Sequence, residues 1–151
     1  MDKVEVLKRS DLFHELDDEQ LALVAELGTC HVLDAGTIIH RQGFPAELIH
    51  VIEEGLVAII LEVGPLAQRQ VQAASNFESY GFSAMIPPYA FTATARALEE
   101  TKEITFNGRQ LFSFCTTHPD AGFKIMQGLA RVIGERLRQA YVQLLGVTDE
   151  D

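Results

Sequence analysis

The feature that most constrains this chain lies between Cys30 and Ala97, where short segments rich in β-branched residues are interrupted by Gly36, Gly43, Gly55, Gly64, Pro65 and Gly81. Apolar runs this short cannot form amphipathic helices, and glycine at such intervals supplies the backbone freedom that tight reversals require. Strands are predicted over residues 30–33, 37–40, 48–53, 56–63, 68–74, 92–98 and 102–106. Glu53-Glu54-Gly55-Leu56 reads as a tight turn between two of them. Many short strands with frequent turns point to a mainly β sandwich or barrel.

Helices frame this β-rich stretch. Asp17 or Asp18 caps a helix whose apolar stripe is Leu21, Val24, Ala25 and Leu27, with Gly28 as its stop. After Gly108 the helical period returns over residues 109–117, and Pro119 then opens a long helix running to about Leu145. The 151 residues suffice for one domain, divided as 1–28, 29–107 and 108–146, and the acidic residues 148–151 are expected to fray.

In the long helix Phe123, Met126, Ala130, Ile133, Leu137, Ala140 and Leu144 recur at alternating intervals of 3 and 4, the spacing of a helix–helix seam. A second stripe, Ile125, Leu129 and Val132, occupies another face. A helix of about 26 residues is ~39 Å long and outruns a small domain. One stripe is therefore expected to cover the β-domain and the seam to pair two copies of the chain. Lys124, Arg131, Arg136 and Arg138 read as a solvated face that offsets the acidic body.

With 12 Lys and Arg against 22 Asp and Glu, the net charge of -10 leaves no general field for nucleic acid or anionic lipid. No apolar run approaches the ~18 residues of a membrane span and the first residues form no signal peptide, so a cytoplasmic location is expected. Cys30 and Cys115 share no metal-ligand or disulfide spacing and are expected to be reduced, partly buried thiols. His40 and His50 flank a loop, with Glu53 three positions after His50, which raises a cupin-like metal-dependent enzyme as an alternative. The paired His-x-His of such sites is missing, and His14, His31 and His118 sit in unrelated segments, so no metal is expected. There is no Gly-x-Ser-x-Gly elbow, Ser83 has no neighbouring base, and no phosphate-binding glycine loop is present, so no enzymatic activity is expected.

Residues 34–55, Asp-Ala-Gly-Thr-Ile-Ile-His-Arg-Gln-Gly-Phe-Pro-Ala-Glu-Leu-Ile-His-Val-Ile-Glu-Glu-Gly, closely resemble the first half of the cyclic-nucleotide-binding domain family, whose members include catabolite activator protein-like sensor domains. Leu12-Phe13 and residues 16–21 match that family's opening helices, residues 81–97 its phosphate-binding cassette, and Leu111-Phe112 and Pro119 its C-terminal part. The resemblance implies a double-stranded β-helix, a jelly-roll-like β-roll, with N-terminal helices and a long C-terminal helix. In the family's cassette a Gly-Glu pair opens a short helix and an Arg follows nine residues after the Glu; the Glu holds the ribose and the Arg the cyclic phosphate. Here Gly81 is followed by Phe82, and the Arg position is Phe91. Thr92 matches the hydroxyl residue after the Arg, and the amides of Ser83 and Ala84 are left as a weak anion cradle. Strand parity turns Arg96 to the face opposite Phe91. The candidate site is thus a degenerate cassette of Gly81, Phe82, Ser83, Ala84, Phe91 and Thr92.

The resemblance implies a homodimeric regulatory or sensory module that binds cyclic AMP and cyclic GMP weakly. Its pocket is either filled by Phe82 and Phe91 against each other or tuned to an apolar small-molecule effector, with a cyclic-nucleotide receptor of atypical phosphate site as the alternative. Family members that regulate transcription carry a helix-turn-helix after the long helix. This sequence ends six residues after Leu145, so output through a partner protein or the dimer is expected, without binding to duplex DNA.

Overall fold

The computed structural model describes residues 1–146; the acidic stretch 148–151 lies outside them. Helix α1 (Lys3–Arg9) is capped by the Asp2 side chain, which accepts from the Glu5 amide. Helix α2 (Asp18–Leu27) opens with a reciprocal capping box in which the Asp17 carboxylate takes the Gln20 amide and the Gln20 side chain takes that of Asp17. Strands β1 (Thr29–Leu33), β2 (Ile38–His40), β3 (Leu48–Glu54), β4 (Val57–Gly64), β5 (Ala67–Ala74), β6 (Ser79–Tyr80), β7 (Thr94–Ala97) and β8 (Thr101–Asn107) follow. Helices α3 (Gly108–Thr117) and α4 (Pro119–Leu145) complete the described chain.

The strands form two antiparallel four-stranded sheets, ordered β1-β8-β3-β6 and β2-β7-β4-β5, a mainly β jelly-roll with a long C-terminal helix. The turn at Gly55 therefore carries the chain from the first sheet to the second and is no hairpin. Its φ is +148°, and a Cβ there would lie 2.4 Å from the Thr101 hydroxyl, so the crossing needs glycine.

Alternation along β3 and β8 divides the interior. Ile49, Val51, Ile104 and Phe106 turn outward from the first sheet and join Leu7, Phe13, Leu21, Leu111, Ile125 and Leu129 in the main apolar cluster beneath the helices. The alternate positions His50, Ile52, Glu103 and Thr105, all buried, turn the other way, toward the second sheet. There Ile52 packs with Val57, Ala74, Tyr80 and Ala95.

Three expectations change. Strand β6 was not foreseen because two residues carry no period; it exists because His50 pairs with Tyr80 and Val51 with Ser79. The segment predicted as a strand from residue 92 begins at Thr94, which leaves Phe91 in the preceding loop. Cys30 is exposed, whereas Cys115 is buried and its thiol is pushed up to about 11 by that burial.

On α4 the stripe of Ile125, Leu129 and Val132 is the one that sinks into the domain, together with Gly122 and Gly128. Of the seam, Phe123, Leu137 and Leu144 stand 69%, 50% and 82% exposed. Ala130 and Ala140 are exposed too, but Met126 and Ile133 are half-buried against the main cluster. The seam is thus shared: its first half is partly spent on the domain, and its second half is open.

Candidate functional site

Gly81 turns the chain out of β6 into a short 3-10 segment, Phe82–Met85, at φ +83°. A Cβ there would sit 3.0 Å from the Leu48 carbonyl oxygen, so both conformation and space select glycine. The Ala84 amide donates to the Gly81 carbonyl at 3.2 Å; that half of the expected anion cradle is already engaged. Behind it Gly108, at the start of α3, passes so close that a Cβ would lie 2.2 Å from the Ala84 carbonyl oxygen. The return strap is pinned to the 43–46 segment: Gly43 donates to the Phe91 carbonyl at 2.7 Å and Phe91 to that of Phe44 at 2.9 Å.

Between this cassette, the second sheet and α4 lies a cleft of about 340 Å³. Gly81, Phe82, Ser83, Phe91 and Thr92 line it as the sequence reading expected, whereas Ala84 is buried behind it with Ala46 and Phe91. Ile59, Ile86 and Ile133 add apolar wall. The two phenyl rings engage different partners. Phe91 lies parallel to His40, ring centroids 3.6 Å apart, and Phe82 lies under the Arg136 guanidinium, 5.6 Å from ring centroid to Cζ. Arg96 is exposed on β7; because Phe91 lies in the loop before that strand, strand parity does not relate the two residues.

Two groups at or beside the cleft go beyond the sequence reading, which names His40 and His50 only with Glu53 as a cupin-like alternative. Arg136 had been assigned to a solvated face, yet its side chain is only 13% exposed and lines the cleft. It donates to the Ser79 carbonyl at 2.7 Å and lies 3.9 Å from the Asp11 carboxylate. Its own carbonyl accepts from Gln72 at 2.8 Å, which ties α4 to β5. Burial holds the Asp11 carboxyl above its usual range, against the opposing pull of hydrogen bonds from the Ser79 hydroxyl and amide and of the Arg136 charge. The signal for Arg136 was its position one turn after Val132 and beside Ile133, at the edge of both apolar stripes.

The second group is the polar inner face of the first sheet. His50 Nδ1 is 2.8 Å from one Glu103 carboxylate oxygen, and the Tyr80 hydroxyl donates to the other. The His50 and Tyr80 rings stack with centroids 4.4 Å apart. Burial first, then Glu103, holds the Tyr80 phenol far above its ordinary value. His40 stands 6.1 Å from His50 between ring centroids, and neither of its buried ring nitrogens has a hydrogen-bond partner. Burial, reinforced by His50, pushes its pKa down to about 3; the nearby Ala93 backbone pulls the other way without reaching hydrogen-bond geometry. Among the described residues no group of three or more His, Cys, Asp or Glu converges as a metal site. No helix among them is long and apolar enough to cross a membrane.

No protein-family model matches the chain. A candidate potassium channel protein of Rhodopseudomonas palustris is 25% identical over 144 residues, which are 95% of this chain but 34% of that protein; the chain thus spans about a third of the curated relative it matches. Among solved structures, a candidate cyclic nucleotide-binding protein from Geobacter metallireducens GS-15 superposes with a TM-score of 0.78 at 25% identity, over 91% of this chain and 99% of that one. A cyclic nucleotide-binding domain from Methylobacillus flagellatus KT gives 0.84 at 18% identity, covering 96% and 82% of the two chains. The Thermus thermophilus catabolite activator protein gives 0.76 at 21% identity, over 89% and 62%.

Proposed function

We propose, from the cyclic-nucleotide-binding-domain fold that this chain carries, that it is a regulatory or sensory module whose cleft does not hold cyclic AMP or cyclic GMP tightly. The observation that carries this reading is the occupation of the two cassette positions by Phe82 and Phe91, with both rings already engaged by Arg136 and His40. A cyclic phosphate entering the cleft loses its water. The cassette supplies no guanidinium to replace it, and Arg136 stands on α4, outside the cassette and bonded to the Ser79 carbonyl; the missing cassette contact costs on the order of 2 to 5 kcal/mol, and an unpaired ribose hydroxyl adds about 1 kcal/mol. Since each 1.4 kcal/mol is a factor of ten, affinity falls at least about a hundredfold below that of a site with both polar groups.

The cleft, still about 340 Å³ with mostly apolar walls, supports a non-nucleotide effector over a ligand-free plug. The exposed second half of the α4 seam supports a homodimer: Leu137 and Leu144, with Tyr141 beside them, leave an apolar surface at heptad spacing, and a two-fold dimer would pair that surface with its own copy. The module's role is regulation rather than catalysis, exerted through that dimer or a protein partner. Thermal unfolding with and without millimolar cyclic AMP or cyclic GMP tests the ligand reading. A tight ligand raises the melting temperature by mass action; the expected result is no shift, and a rise of several degrees with either nucleotide overturns it.

A further inference from the structure

Arg136 gives the cleft a cation that the cassette lacks. Its side chain is 13% exposed. Of the five N–H donors that a guanidinium carries, one hydrogen-bonds a neutral carbonyl, that of Ser79. The Asp11 carboxylate, at 3.9 Å, stands at the outer limit of an ion pair and is already taken by the Ser79 hydroxyl and amide. The guanidinium carbon lies over the Phe82 ring at 5.6 Å, one N–H is held by the Ser79 carbonyl and the Arg136 backbone is tied to Gln72, so the group is positioned before any ligand arrives. Among the described residues no Asp or Glu lines the cleft to repel an anion, and no Lys or second Arg lines it to neutralise a dianion. The rest of the wall is mostly apolar, with Ile59, Ile86, Phe91 and Ile133 around the space and the neutral polar side chains of Gln72, Ser83 and Thr92 among them. At about 340 Å³ the cleft falls at the small end of sites for organic ligands, roughly 300 to 1,000 Å³.

We propose that the cleft is a binding site for a small aromatic monocarboxylate, its carboxylate paired with the Arg136 guanidinium and its ring seated among Phe82, Ile59, Ile86 and Phe91. The inference rests on the reading of the cleft as an effector site. The planar fork of a guanidinium matches a carboxylate bidentately, and a flat apolar body is what the remaining walls can desolvate. Because Arg136 belongs to α4 while Phe82 and Ile59 belong to the β-roll, such a ligand bridges the helix and the roll, and occupancy is thereby transmitted to the helix that carries the seam.

The test compares 1-naphthoate with 1-naphthalenemethanol, which share the ring system and differ in charge, by calorimetric titration of the full chain at neutral pH. The expected result is saturable binding of the acid, at least about tenfold tighter than the alcohol, with the preference abolished in Arg136→Met and reduced in Arg136→Lys, which keeps the charge but loses the fork. Equal binding of acid and alcohol, a preference that survives Arg136→Met, or no binding of the acid at about 1 mM overturns the inference. Should Arg136→Met fail to fold, the wild-type pair and Arg136→Lys decide it. Cyclic AMP titrated alongside keeps the two readings apart: its low-micromolar binding contradicts the proposed function, whereas failure of the acid beside silent nucleotide contradicts this inference alone.

Discussion

The imidazole of His40 lies flat on the phenyl ring of Phe91, planes 2° apart and centroids 3.6 Å apart. This contact joins strand β2 to the loop before β7 and fixes the ring that the resemblance aligns with the arginine of cyclic-nucleotide-binding domains. It also explains how a histidine with two unpartnered nitrogens is tolerated: held neutral, with its pKa near 3, the ring behaves as an aromatic plate and not as a base.

Replacing it with a true aromatic plate is therefore expected to help. His40→Phe keeps the stack and removes two buried polar atoms whose burial costs about 1 to 3 kcal/mol, so urea unfolding should show a gain of that order. The substitution also changes the acid response. The unfolded histidine titrates near 6.5 and the folded one near 3, so the unfolded chain binds the extra proton between those values. Stability is full above about pH 6.5 and declines toward pH 3, by up to about 1.4 kcal/mol per unit from this group. His40→Phe should remove that part of the slope; an unchanged slope means the histidine is charged in the folded protein.

Glu103 has the opposite expectation. Its carboxylate serves both His50 and Tyr80 in a buried layer. Glu103→Ala strands both partners, at about 3 to 5 kcal/mol, and chemical denaturation should show a loss of that size. A loss under about 1 kcal/mol would mean that the pair satisfies itself elsewhere.

The fold was largely legible because turn glycines and β-branched runs report directly on backbone geometry. Gly55 and Gly81 are required where the sequence reading placed them. The cassette reading rests on resemblance through local spacing from Gly81, and of its residues Gly81, Phe82, Ser83, Phe91 and Thr92 line the cleft while Ala84 does not. Arg136 and the His50, Tyr80 and Glu103 layer were not, because they are brought to the cleft and the interior by packing between elements far apart in sequence. Glu103 in isolation reads as a strand's polar face; it is buried because the helices cover the other side of the first sheet and the second sheet closes over this one. Likewise the heptad count on α4 treats all seam positions alike, and does not reveal that Met126 and Ile133 are drawn into the domain.

That last distinction sets the dimer test. Ile133 lines the cleft, so a charge there would disturb the domain as well as any partner. Leu137→Glu with Leu144→Glu alters exposed positions only. Analytical ultracentrifugation at tens of micromolar should show a dimer for the unmodified chain and a folded monomer for the double variant; a wild-type monomer contradicts the seam.

Gly108 offers a check on the cassette itself. A Cβ at this position would press on the Ala84 backbone, which cannot swing aside as a side chain does. Gly108→Ala is expected to cost about 1 to 3 kcal/mol through overpacking and to be felt at the cleft, whereas the same change at Gly134, where a Cβ would meet nothing within 4 Å beyond its own helix backbone and chain neighbours, should stabilise or leave stability unchanged. Equal melting temperatures for the two variants would show that the cassette is free to move away from α3.

The central claim, that Phe82 and Phe91 have removed the cyclic-nucleotide site from a fold that otherwise keeps its cleft, is tested most directly by isothermal titration of the unmodified chain with cyclic AMP. The account predicts no measurable heat at ligand concentrations up to about 100 μM, consistent with a loss of at least about a hundredfold in affinity. Saturable one-to-one binding with a low-micromolar dissociation constant would contradict it and would point to Arg136, whose guanidinium lines the cleft, as the phosphate partner.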